Sequence, residues 1–543
     1  MGKKFKNLTE DDILKIEEIY TNREISWDQK EIKLAEYTGV SSRTARKWAE
    51  KLGFTNPVEP ASPQYENAKK KKINKNKKRF IITWAQNNTP VHEIFLRNIE
   101  KYAKEIDAEI IVIAGRYKNP TSVFTDKKVD TWHSRVKPYL FAGAQSIHKH
   151  LIVVGDVKIS PTAVIPMTAM EGFSGQESCI FGHPKVQMQM VPVLEERPPK
   201  KMMTTGACTV PNYTDSKAGK KGEFHHSLGF VIAEVKDKKV FFSRQVTATD
   251  DGNFNDLYYN VKFEGGQKKL NLASGLTFLT NDIEGNSVIS KNTEIEAAVL
   301  GDIHFGEHDQ RVINNTLNVL FKKLHPKEVV LHDVFDGYSI SHHDEKDPFA
   351  QYHKEVDGRN DLNKELELLV EGLKPFSKYK TVIVRSNHDD FLDRWLKRID
   401  WRKASTMKNS LAYMKFASLL LERKATKGIV PYVINQAYPD MITLDRSDSY
   451  RIKSWELGQH GDIGASGSRG SINQFRRLNT KMIIGHSHSP NRKDGVIQVG
   501  TSTHLRVGYN IGPSSWLQSH AIIHSDGKAQ QLDFINGEFT TFE

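Results

Sequence analysis

The segment AAVLGDIH, residues 297–304, joins an apolar run to an aspartate and a histidine two positions apart. The apolar run predicts a buried strand, and the two polar residues come where that strand ends. A carboxylate and an imidazole at this spacing can face the same side and offer one metal ion an oxygen and a nitrogen ligand. A lone Asp-x-His pair is more typical of a solvated turn, so the segment predicts a site only if others accompany it.

Four further segments between residues 295 and 520 repeat this arrangement. Each is an apolar run that ends in residues with ligand chemistry: EVVLHDVFDG (328–337), TVIVRSNHD (381–389), WELGQHGD (455–462) and KMIIGHSH (481–488). Between AAVLGDIH and EVVLHDVFDG, a crossover helix is predicted by apolar residues at helical spacing, namely Ile313, Leu317, Leu320 and Leu324. Strand ends of a doubly wound sheet meet at one edge, where ligands bind. The five segments together therefore predict one shared site.

Together these segments resemble the motifs of the calcineurin-like metallophosphoesterase superfamily, and in particular its double-strand-break-repair nucleases. The residues that match are Asp302 and His304, Asp333 and Asp336, Asn387 and His388, His460 and Gly461, and Gly485, His486 and His488. The resemblance implies a C-terminal four-layer α/β/β/α sandwich with two metal ions at the strand ends. Two residues depart from the family pattern, because His332 and Ser386 stand where glycine is usual. We therefore expect different backbone packing there, with His332 as a hydrogen-bonding neighbour of the ligands.

The resemblance also implies the role of each residue. It implies seven metal ligands, namely Asp302, His304 and His488 for one ion, Asn387, His460 and His486 for the other, and Asp333 as the bridge. His388 would act on the substrate or leaving group from outside the metal ligands, and Asp336 would orient it.

The chemistry of these residue types agrees with that reading. Two divalent ions about 3.5–4 Å apart can lower the pKa of a bridging water and neutralise phosphoryl oxygens during in-line attack. A mixed Asp, His and Asn ligand set without thiolate favours two Mn²⁺ ions, with Mg²⁺, Fe or Zn²⁺ as alternatives. His388 can protonate the departing alkoxide, since a histidine titrates near neutral pH.

Residues 1–55 predict a helix-turn-helix DNA-binding module. Thr9 is followed by three acidic residues, which is typical of a helix N-terminus, and Gly39 can take the left-handed conformation that a tight turn between two helices needs. The second of those helices would present Arg43, Arg46 and Lys47 to DNA. A small helical bundle that contacts protein is the alternative.

A basic linker is predicted over residues 56–79. The chain carries a formal net charge of +12, and residues 1–79 hold 19 Lys and Arg against 12 Asp and Glu, a net of +7. Lysines crowd the end of this stretch, beginning with Lys69, Lys70, Lys71 and Lys72. Such a run can neutralise DNA phosphates and release counterions. A tether that only keeps the linker solvated is the alternative.

Residues 80–290 are predicted to form a central α/β domain of unknown role, followed by the metallophosphoesterase domain over 291–543. A strand from Arg79, a helix over 91–106 and a strand over 109–113 predict a β-α-β unit. The predicted class of the whole chain is α/β, with an all-α N-terminus. Gly219–His226 has no phosphate-loop spacing and is predicted as a surface turn.

Composition excludes several classes of protein. The 26 Phe, 17 Tyr and 8 Trp exclude disorder throughout, and no run approaches the ~18 apolar residues of a membrane span. Only two cysteines are present, which excludes a disulfide framework or a thiolate zinc site and indicates a reducing compartment. We therefore expect a cytoplasmic protein, in the host cytoplasm if it is a phage protein, with no membrane partner.

The combination predicts a metal-dependent phosphodiesterase, specifically a deoxyribonuclease whose partner is DNA. The layout and the phrase IITWAQNN (81–88) resemble the pre-early host-DNA-degradation nucleases of T-five-type tailed phages, which implies degradation of host DNA. Four arginines near the motifs could hold flanking phosphates, namely Arg385, Arg469, Arg476 and Arg477. The alternatives are a phosphatase or nucleotide phosphodiesterase that the helix-turn-helix localises, and a catalytically inactive DNA-binding regulator. The sequence leaves the oligomeric state open, and a homo-oligomer is one of the states it allows.

Overall fold

The computed structural model describes residues 3–22, 27–54, 72–119, 131–173, 175–266, 269–271, 277–279, 284–291, 294–508 and 510–542. The chain divides into two compact units, residues 1–67 and 68–543. Lys69, Lys70 and Lys71 lie outside the described residues, so their predicted role in binding DNA stays a prediction.

Three helices form the N-terminal unit, as the sequence predicts: α1 (Glu10–Thr21), α2 (Trp27–Thr38) and α3 (Ser42–Lys51). A capping box begins α1, because the Thr9 hydroxyl accepts from the Asp12 amide and the Asp12 carboxylate accepts from the Thr9 amide. Gly39 has φ +67° in the turn between α2 and α3. The small buried core consists of Ile16, Ile19, Tyr20, Leu34, Ala45 and Ala49.

Helices and strands alternate through residues 68–543. The helices are α4 (Glu93–Glu105), α5 (Lys217–His225), α6 (Gln310–Asn315), α7 (Phe321–Leu324), α8 (Pro348–Val356), α9 (Leu362–Leu373), α10 (Asp389–Arg398), α11 (Ser410–Leu421), α12 (Ile429–Ala437) and α13 (Ile472–Phe475). A π-helical turn, Thr316–Leu320, joins α6 to α7 within the predicted crossover. Glycines disfavour helices, yet α5 replaces the predicted surface turn, with the Ser216 side chain capping it and Gly219 packed against Thr214.

The strands of the first part of this unit are β1 (Arg79–Gln86), β2 (Ala108–Gly115), β3 (Leu140–Phe141), β4 (Ala144–His148), β5 (Leu151–Val154), β6 (Ser178–Phe181), β7 (Met188–Val191), β8 (Lys200–Thr204), β9 (Gly229–Val235), β10 (Phe241–Thr247), β11 (Phe254–Asp256), β12 (Tyr259–Gly266), β13 (Lys269–Asn271), β14 (Thr277–Leu279) and β15 (Glu284–Lys291). Those of the second part are β16 (Ile295–Val299), β17 (Pro326–His332), β18 (Lys380–Val384), β19 (Ile442–Thr443), β20 (Arg451–Ile452), β21 (Trp455–Glu456), β22 (Lys481–Ile484), β23 (Asn491–Lys493), β24 (Val496–Gln498), β25 (Ser519–Ile523) and β26 (Ala529–Asp533).

Two sheets carry the C-terminal motifs. Sheet I has the order β19-β18-β17-β16-β25-β26, and its β16, β17 and β18 run parallel. Sheet II has the order β20-β21-β22-β24-β23-β7-β8-β6-β5-β4. Buried side chains of both sheets meet in one hydrophobic cluster, which includes Val299 and Val330 from sheet I and Ile483 and Ile497 from sheet II. Burial of these apolar faces fixes the two sheets against each other.

A third sheet covers the other half of sheet II. Sheet III has the order β10-β9-β1-β2-β3, and it contains the predicted β-α-β unit, with β1 and β2 parallel and α4 between them. Phe80, Ile82 and Trp84 of β1 pack in one cluster with Leu151 and Val153 of sheet II. The extended sheet II is therefore buried by sheet I at one half and by sheet III at the other.

The α/β class predicted from the sequence is confirmed, whereas the four-layer arrangement stays a prediction. The predicted boundary at residue 290 does not coincide with a boundary between compact units, because β23 pairs with β7 and joins residues 144–204 to residues 451–498 in one sheet. No periodic pattern in the sequence announces a pairing between strands about 300 residues apart. None of the described helices is long and apolar enough to span a membrane.

Candidate metal centre

The five motif segments follow strands whose ends lie together. β16, β17 and β18 are parallel neighbours in sheet I, and β21 and β22 are parallel neighbours in sheet II. Backbone hydrogen bonds link the segments directly, since the His304 amide donates to the Asp333 carbonyl and the Gly485 amide donates to the His460 carbonyl. The convergence that the sequence predicts for these segments is therefore present.

Four of the predicted ligands form a tight buried group. Candidate ligand atoms of Asp302, His304, Asp333 and His488 all lie within 4.8 Å of one another. His488 Nε2 lies 3.1 Å from Asp302 Oδ2, and His304 Nε2 lies 3.3 Å from Asp333 Oδ2. Two carboxylates and two imidazoles at this spacing can hold a divalent cation.

The remaining predicted ligands lie on the other side of Asp333. His460 Nε2 is 3.4 Å from Asp333 Oδ2, and the His460 and His486 ring centroids are 5.4 Å apart. Asn387 follows β18, the sheet neighbour of the strand that leads to Asp333. Asp333 thus stands between His304 and His460, which is where the resemblance puts a bridging carboxylate.

Unpaired acceptor atoms show that this pocket suits a cation. Within the described part of the chain, Asp302 Oδ1, Asp333 Oδ1 and Asn387 Oδ1 are buried and accept no hydrogen bond. Burying a carboxylate oxygen without a donor is costly, and a metal ion would remove that cost. The cluster of Asp and His residues can therefore hold a metal ion, while two ions and the choice of Mn²⁺ stay predictions.

Four of the predicted ligands adopt a left-handed backbone. The φ angles are +48° at His304, +49° at Asp333, +74° at His486 and +57° at His488. Residues other than glycine rarely adopt such angles, and the strain persists only where the surrounding structure enforces it. The strand-end backbone is therefore bent to aim these side chains inward, a feature that the residue pattern alone does not reveal.

Asp333 is surrounded by histidines that its charge holds protonated. Burial by itself would lower the pKa of His304 and of His460, but Asp333 and its neighbouring carboxylates raise both to about 9. Burial likewise opposes ionisation of Asp333, yet His388, His304 and His460 bring its pKa well below the usual range. A metal ion at this site would have to displace those protons, so its affinity rises with pH.

Both departures from the family pattern have a structural role. His332 is buried at the end of β17, and its Nδ1 lies 3.5 Å from His460 Nδ1, which agrees with its expected place beside the ligands. Burial lowers the pKa of His332 to about 4. Two hydrogen bonds join Ser386 and Asp389. The Ser386 amide donates to the Asp389 carboxylate at 2.9 Å, and the Asp389 amide donates to the Ser386 hydroxyl oxygen at 3.1 Å. This pair fixes the turn that carries Asn387 and His388.

Gly485 leaves room for the carboxylate of Asp302, and we expect Gly485→Ala to weaken binding of Mn²⁺ on the order of tenfold or more. A Cβ at this position would lie 2.2 Å from Asp302 Oδ1 and 3.2 Å from His332 Cβ, so the carboxylate must move. Calorimetric titration with Mn²⁺ measures the effect. Gly172→Ala is the control, since a Cβ there meets nothing within 4 Å. Equal affinity in the two variants would contradict the prediction.

The two predicted catalytic residues, His388 and Asp336, are neighbours, but the Asp336 side chain does not make the contact with His388 that was expected. His388 Nδ1 lies 2.5 Å from the backbone carbonyl oxygen of Asp336, whereas the Asp336 carboxylate lies 3.1 Å from His304 Nδ1. Asp336 thus contacts His388 through its backbone and a predicted ligand through its side chain. The His388 ring also stacks on Phe391 at 4.5 Å, which leaves its Nε2 atom for a substrate.

A cleft of about 570 Å³ opens beside this group of residues. Asn387 and His388 line it together with residues that the sequence did not mark, namely Tyr338, His343, His353 and Arg359. Those four lie between the strand-end motif that follows β17 and the start of α9, in a stretch that carries no motif of its own. Arg359 pairs with Glu307 at 2.5 Å and packs over the Tyr338 ring at 4.0 Å. The arginine is exposed and close to the candidate ligands, so it can attract an anionic substrate.

Glu365 supports the chain just after Asp336, and we expect it to make stability depend on pH. Its carboxylate accepts from the amides of Tyr338 and Ser339 and from the Ser339 hydroxyl. Burial raises its pKa from 4.5 to about 7, despite these hydrogen bonds and with a contribution from Asp336. The folded state therefore keeps a proton that the unfolded state loses, and stability falls as pH rises from 4.5 through 7.

Denaturant unfolding at pH 5 and pH 8 tests this expectation. Glu365→Gln should reduce the loss of stability between the two pH values by on the order of 2–3 kcal/mol, because it removes the titrating group. Glu367→Gln, on the exposed face of the same helix, is the control and should leave the loss unchanged. An identical loss in wild type and Glu365→Gln would contradict the prediction.

The predicted DNA contacts of the N-terminal unit are accessible. Arg43, Arg46 and Lys47 are all exposed on α3, and Arg46 pairs with Glu50 at 2.9 Å. Lys72 is exposed as well. Their contact with DNA stays a prediction.

Arg385 is engaged within the protein and does not stand free for a phosphate. Its guanidinium contacts Asp390, Asp393 and Asp445 at 2.8–3.0 Å and is mostly buried. The expectation that it holds a flanking phosphate is therefore not supported.

Comparison with known proteins gives one clear relative. The chain is 29% identical over 493 residues to "Protein A1" of Escherichia phage T5, and the similarity covers 85% of this chain and 83% of that protein. No family model matches the chain. A solved crystal structure aligns with 44% of this chain and 99% of its own at 13% identity, with a TM-score of 0.24 that is too low to indicate a shared fold. The chain is thus similar to a phage protein over most of its length.

Proposed function

We propose that this chain is a metal-dependent deoxyribonuclease that hydrolyses phosphodiester bonds with two metal ions. The observation that carries the proposal is the buried group of Asp302, His304, Asp333 and His488, whose ligand atoms lie within 4.8 Å of one another, and in which carboxylate oxygens lack a donor. Divalent ions supply Lewis acidity, which makes water nucleophilic near neutral pH and neutralises charge on phosphoryl oxygens.

The protein's own residues supply binding and proton transfer. Asp302, His304 and His488 would hold one ion, Asn387, His460 and His486 the other, and Asp333 both. His388 lines the cleft with Nδ1 against the Asp336 carbonyl, so its Nε2 can deliver a proton to the leaving oxygen. Burial lowers the pKa of His388, and the negative charge of Asp333 opposes that shift.

DNA is the substrate that the rest of the chain favours. The N-terminal unit exposes three basic residues on one face of α3, after a tight turn of the kind found in helix-turn-helix proteins. The similarity to a phage protein supports a role in infection, and we propose that this role is degradation of host DNA in the host cytoplasm.

The proposal is tested on supercoiled plasmid and on end-labelled linear duplex with Mn²⁺. Wild type should cut at least one of the two, and Asp302→Ala should cut neither, since it removes a ligand of the buried group. Nicking of closed circles would show an endonuclease, and loss of end label alone would show an exonuclease. Lys322→Ala, an exposed residue on α7, is the matched control and should cut like wild type.

Other outcomes separate the alternatives. Turnover of p-nitrophenyl phosphate with both DNAs left intact would replace the nuclease with a phosphatase. DNA retention without hydrolysis, under Mn²⁺, Mg²⁺ or Zn²⁺, would indicate an inactive DNA-binding regulator. Either result would overturn the proposal.

A further inference from the structure

A second cavity, away from the candidate metal centre, has five lysine and arginine residues in its lining. Its volume is about 520 Å³, and it lies within residues 68–543 between segments of the predicted central region and of the C-terminal motifs. The basic residues that line it are Lys185, Arg476, Lys481, Arg492 and Lys528, and His225 lines it too. We call it the basic cavity.

One carboxylate, Asp494, is found among the described residues that line this cavity, and it is already paired with two of the cations. Lys185 forms an ion pair with it, and Arg476 Nη1 lies 2.8 Å from its Oδ2. Lys481, Arg492 and Lys528 therefore face the cavity without a carboxylate of their own. Cations gathered at one site repel each other, a cost that an anion bound there would offset.

Burial lowers the pKa of two of these cations, and neighbouring positive charge adds to the shift at Lys528. Burial lowers the pKa of Lys528, and the charges of Lys481 and Arg492 lower it further, although Asp250 and Asp526 oppose them. Burial also lowers the pKa of Arg492 to about 10, with no carboxylate to restore it. In addition, Arg492 Nη1 is shielded from solvent and donates to no acceptor within the described residues. A guanidinium that lacks a partner in this way is suited to an oxygen-rich anion.

An exposed aromatic ring stands at the same cavity. Phe224, on α5, lines the cavity and is 73% exposed. Exposed phenylalanine side chains near basic groups can stack on nucleobases, because every base offers a π-face. The cavity therefore combines a phosphate site with a surface for a base.

We propose that the basic cavity binds a phosphate group of a nucleotide or of a nucleic-acid strand, with Lys481, Arg492 and Lys528 on the phosphate and Phe224 beside the base. The site is separate from the metal centre. Lys481 begins β22 and Ile484 ends it, about 10 Å away at about 3.3 Å per residue, and His486 lies two residues beyond that end. The proposal does not depend on the hydrolytic function.

The proposal is tested by calorimetric titration of the probes into the full-length protein in the presence of Mn²⁺. The probes are inorganic phosphate, dAMP and a single-stranded DNA dodecamer, and the proteins are wild type, Asp333→Asn, Lys481→Gln and the double variant Lys481→Gln/Lys528→Gln. Lys322→Gln, an exposed lysine far along the chain, is the matched control. Binding of at least one probe should survive in Asp333→Asn and weaken on the order of tenfold per lost lysine contact in the cavity variants.

The outcomes separate this site from the metal centre. A wild-type protein that binds inorganic phosphate but neither dAMP nor the dodecamer would overturn the proposal, because no base would be held. Tighter binding of the dodecamer than of dAMP would show a strand site and support it. Equal binding of all three probes by wild type and the double variant would overturn it, whatever the DNA-cleavage assay shows. Loss of all binding in Asp333→Asn would overturn it as well.

Folding of the cavity variants has a distinctive signature. Removing one of several repelling cations should leave Tm without ligand unchanged or higher, while the rise in Tm that dAMP produces in wild type should shrink. A lysine with only a structural role would lower Tm and leave the ligand-induced rise intact. That second pattern in Lys481→Gln, whose side chain is exposed, would contradict the proposal.

Discussion

Replacing Asp333 with asparagine is expected to reduce cleavage of DNA about a thousandfold or more, because one residue serves both halves of the metal centre. Its carboxylate lies 3.3 Å from His304 Nε2 and 3.4 Å from His460 Nε2. Asparagine keeps the size but loses the negative charge and one of the two acceptor oxygens. The affinity for both metal ions should therefore fall together. Substitution of a residue that binds one ion should lower the affinity for that ion alone.

The measurements are the initial rate on plasmid and the number of Mn²⁺ ions retained per chain. Asp333→Asn should retain fewer ions than Asp302→Ala at equal free Mn²⁺. Asp440→Asn is the control, since Asp440 is exposed on a loop remote in sequence from the motifs. Wild-type cleavage by Asp333→Asn would exclude a bridging role.

Replacing His388 with alanine is expected to slow cleavage of DNA by about a hundredfold to ten thousandfold while leaving metal content unchanged. The ring lies 4.6 Å from the His304 ring, and its Nδ1 is engaged by the Asp336 carbonyl. The Nε2 atom is thus the one available for transfer of a proton to the leaving oxygen. The proposed role, a proton donor that holds no ion, therefore predicts a loss of rate with metal content unchanged; a loss of bound metal would contradict that role, since His388 also lies close to His304 and Asp336 in a group that could hold an ion.

The identity of the leaving group separates this role from a structural one. Thymidine 5′-(p-nitrophenyl phosphate) releases a weakly basic phenolate that needs little protonation, so His388→Ala should lose far less activity on it than on DNA. His150→Ala, in the central region, is the control and should match wild type on both substrates. An equal loss on both substrates would show that His388 shapes the site instead of donating a proton.

Local patterns predicted the strands and the convergence of their ends. The apolar runs placed β16, β17, β18 and β22 to within two residues, because each buried strand is bounded by polar residues. The same reasoning marked Asp302, His304, Asp333 and His488, whose candidate ligand atoms lie together. The first three follow the parallel neighbours β16 and β17 of sheet I, whereas His488 follows β22 of sheet II.

What local patterns could not predict depends on contacts far along the chain. The left-handed angles at His304 and Asp333 are imposed by the surrounding backbone, and no residue preference encodes them. The carboxylate of Asp336 meets His304 instead of His388, a choice that side-chain packing makes. The basic cavity could not be predicted for the same reason, since Lys185 and Lys528 are distant in sequence and line one cavity only in the folded chain.

The pairing of β23 with β7 makes the two predicted domains interdependent. A fragment that starts near residue 291 would expose the β23 edge and remove Lys201, the buried lysine partner of Asp533, whereas Asp494 would lose Lys185 and keep Arg476. Uncovered edges invite aggregation, and unpaired buried carboxylates are strongly destabilising. We therefore expect the region of unassigned role to act as a scaffold for the motif-bearing half, and a fragment without it to be unstable.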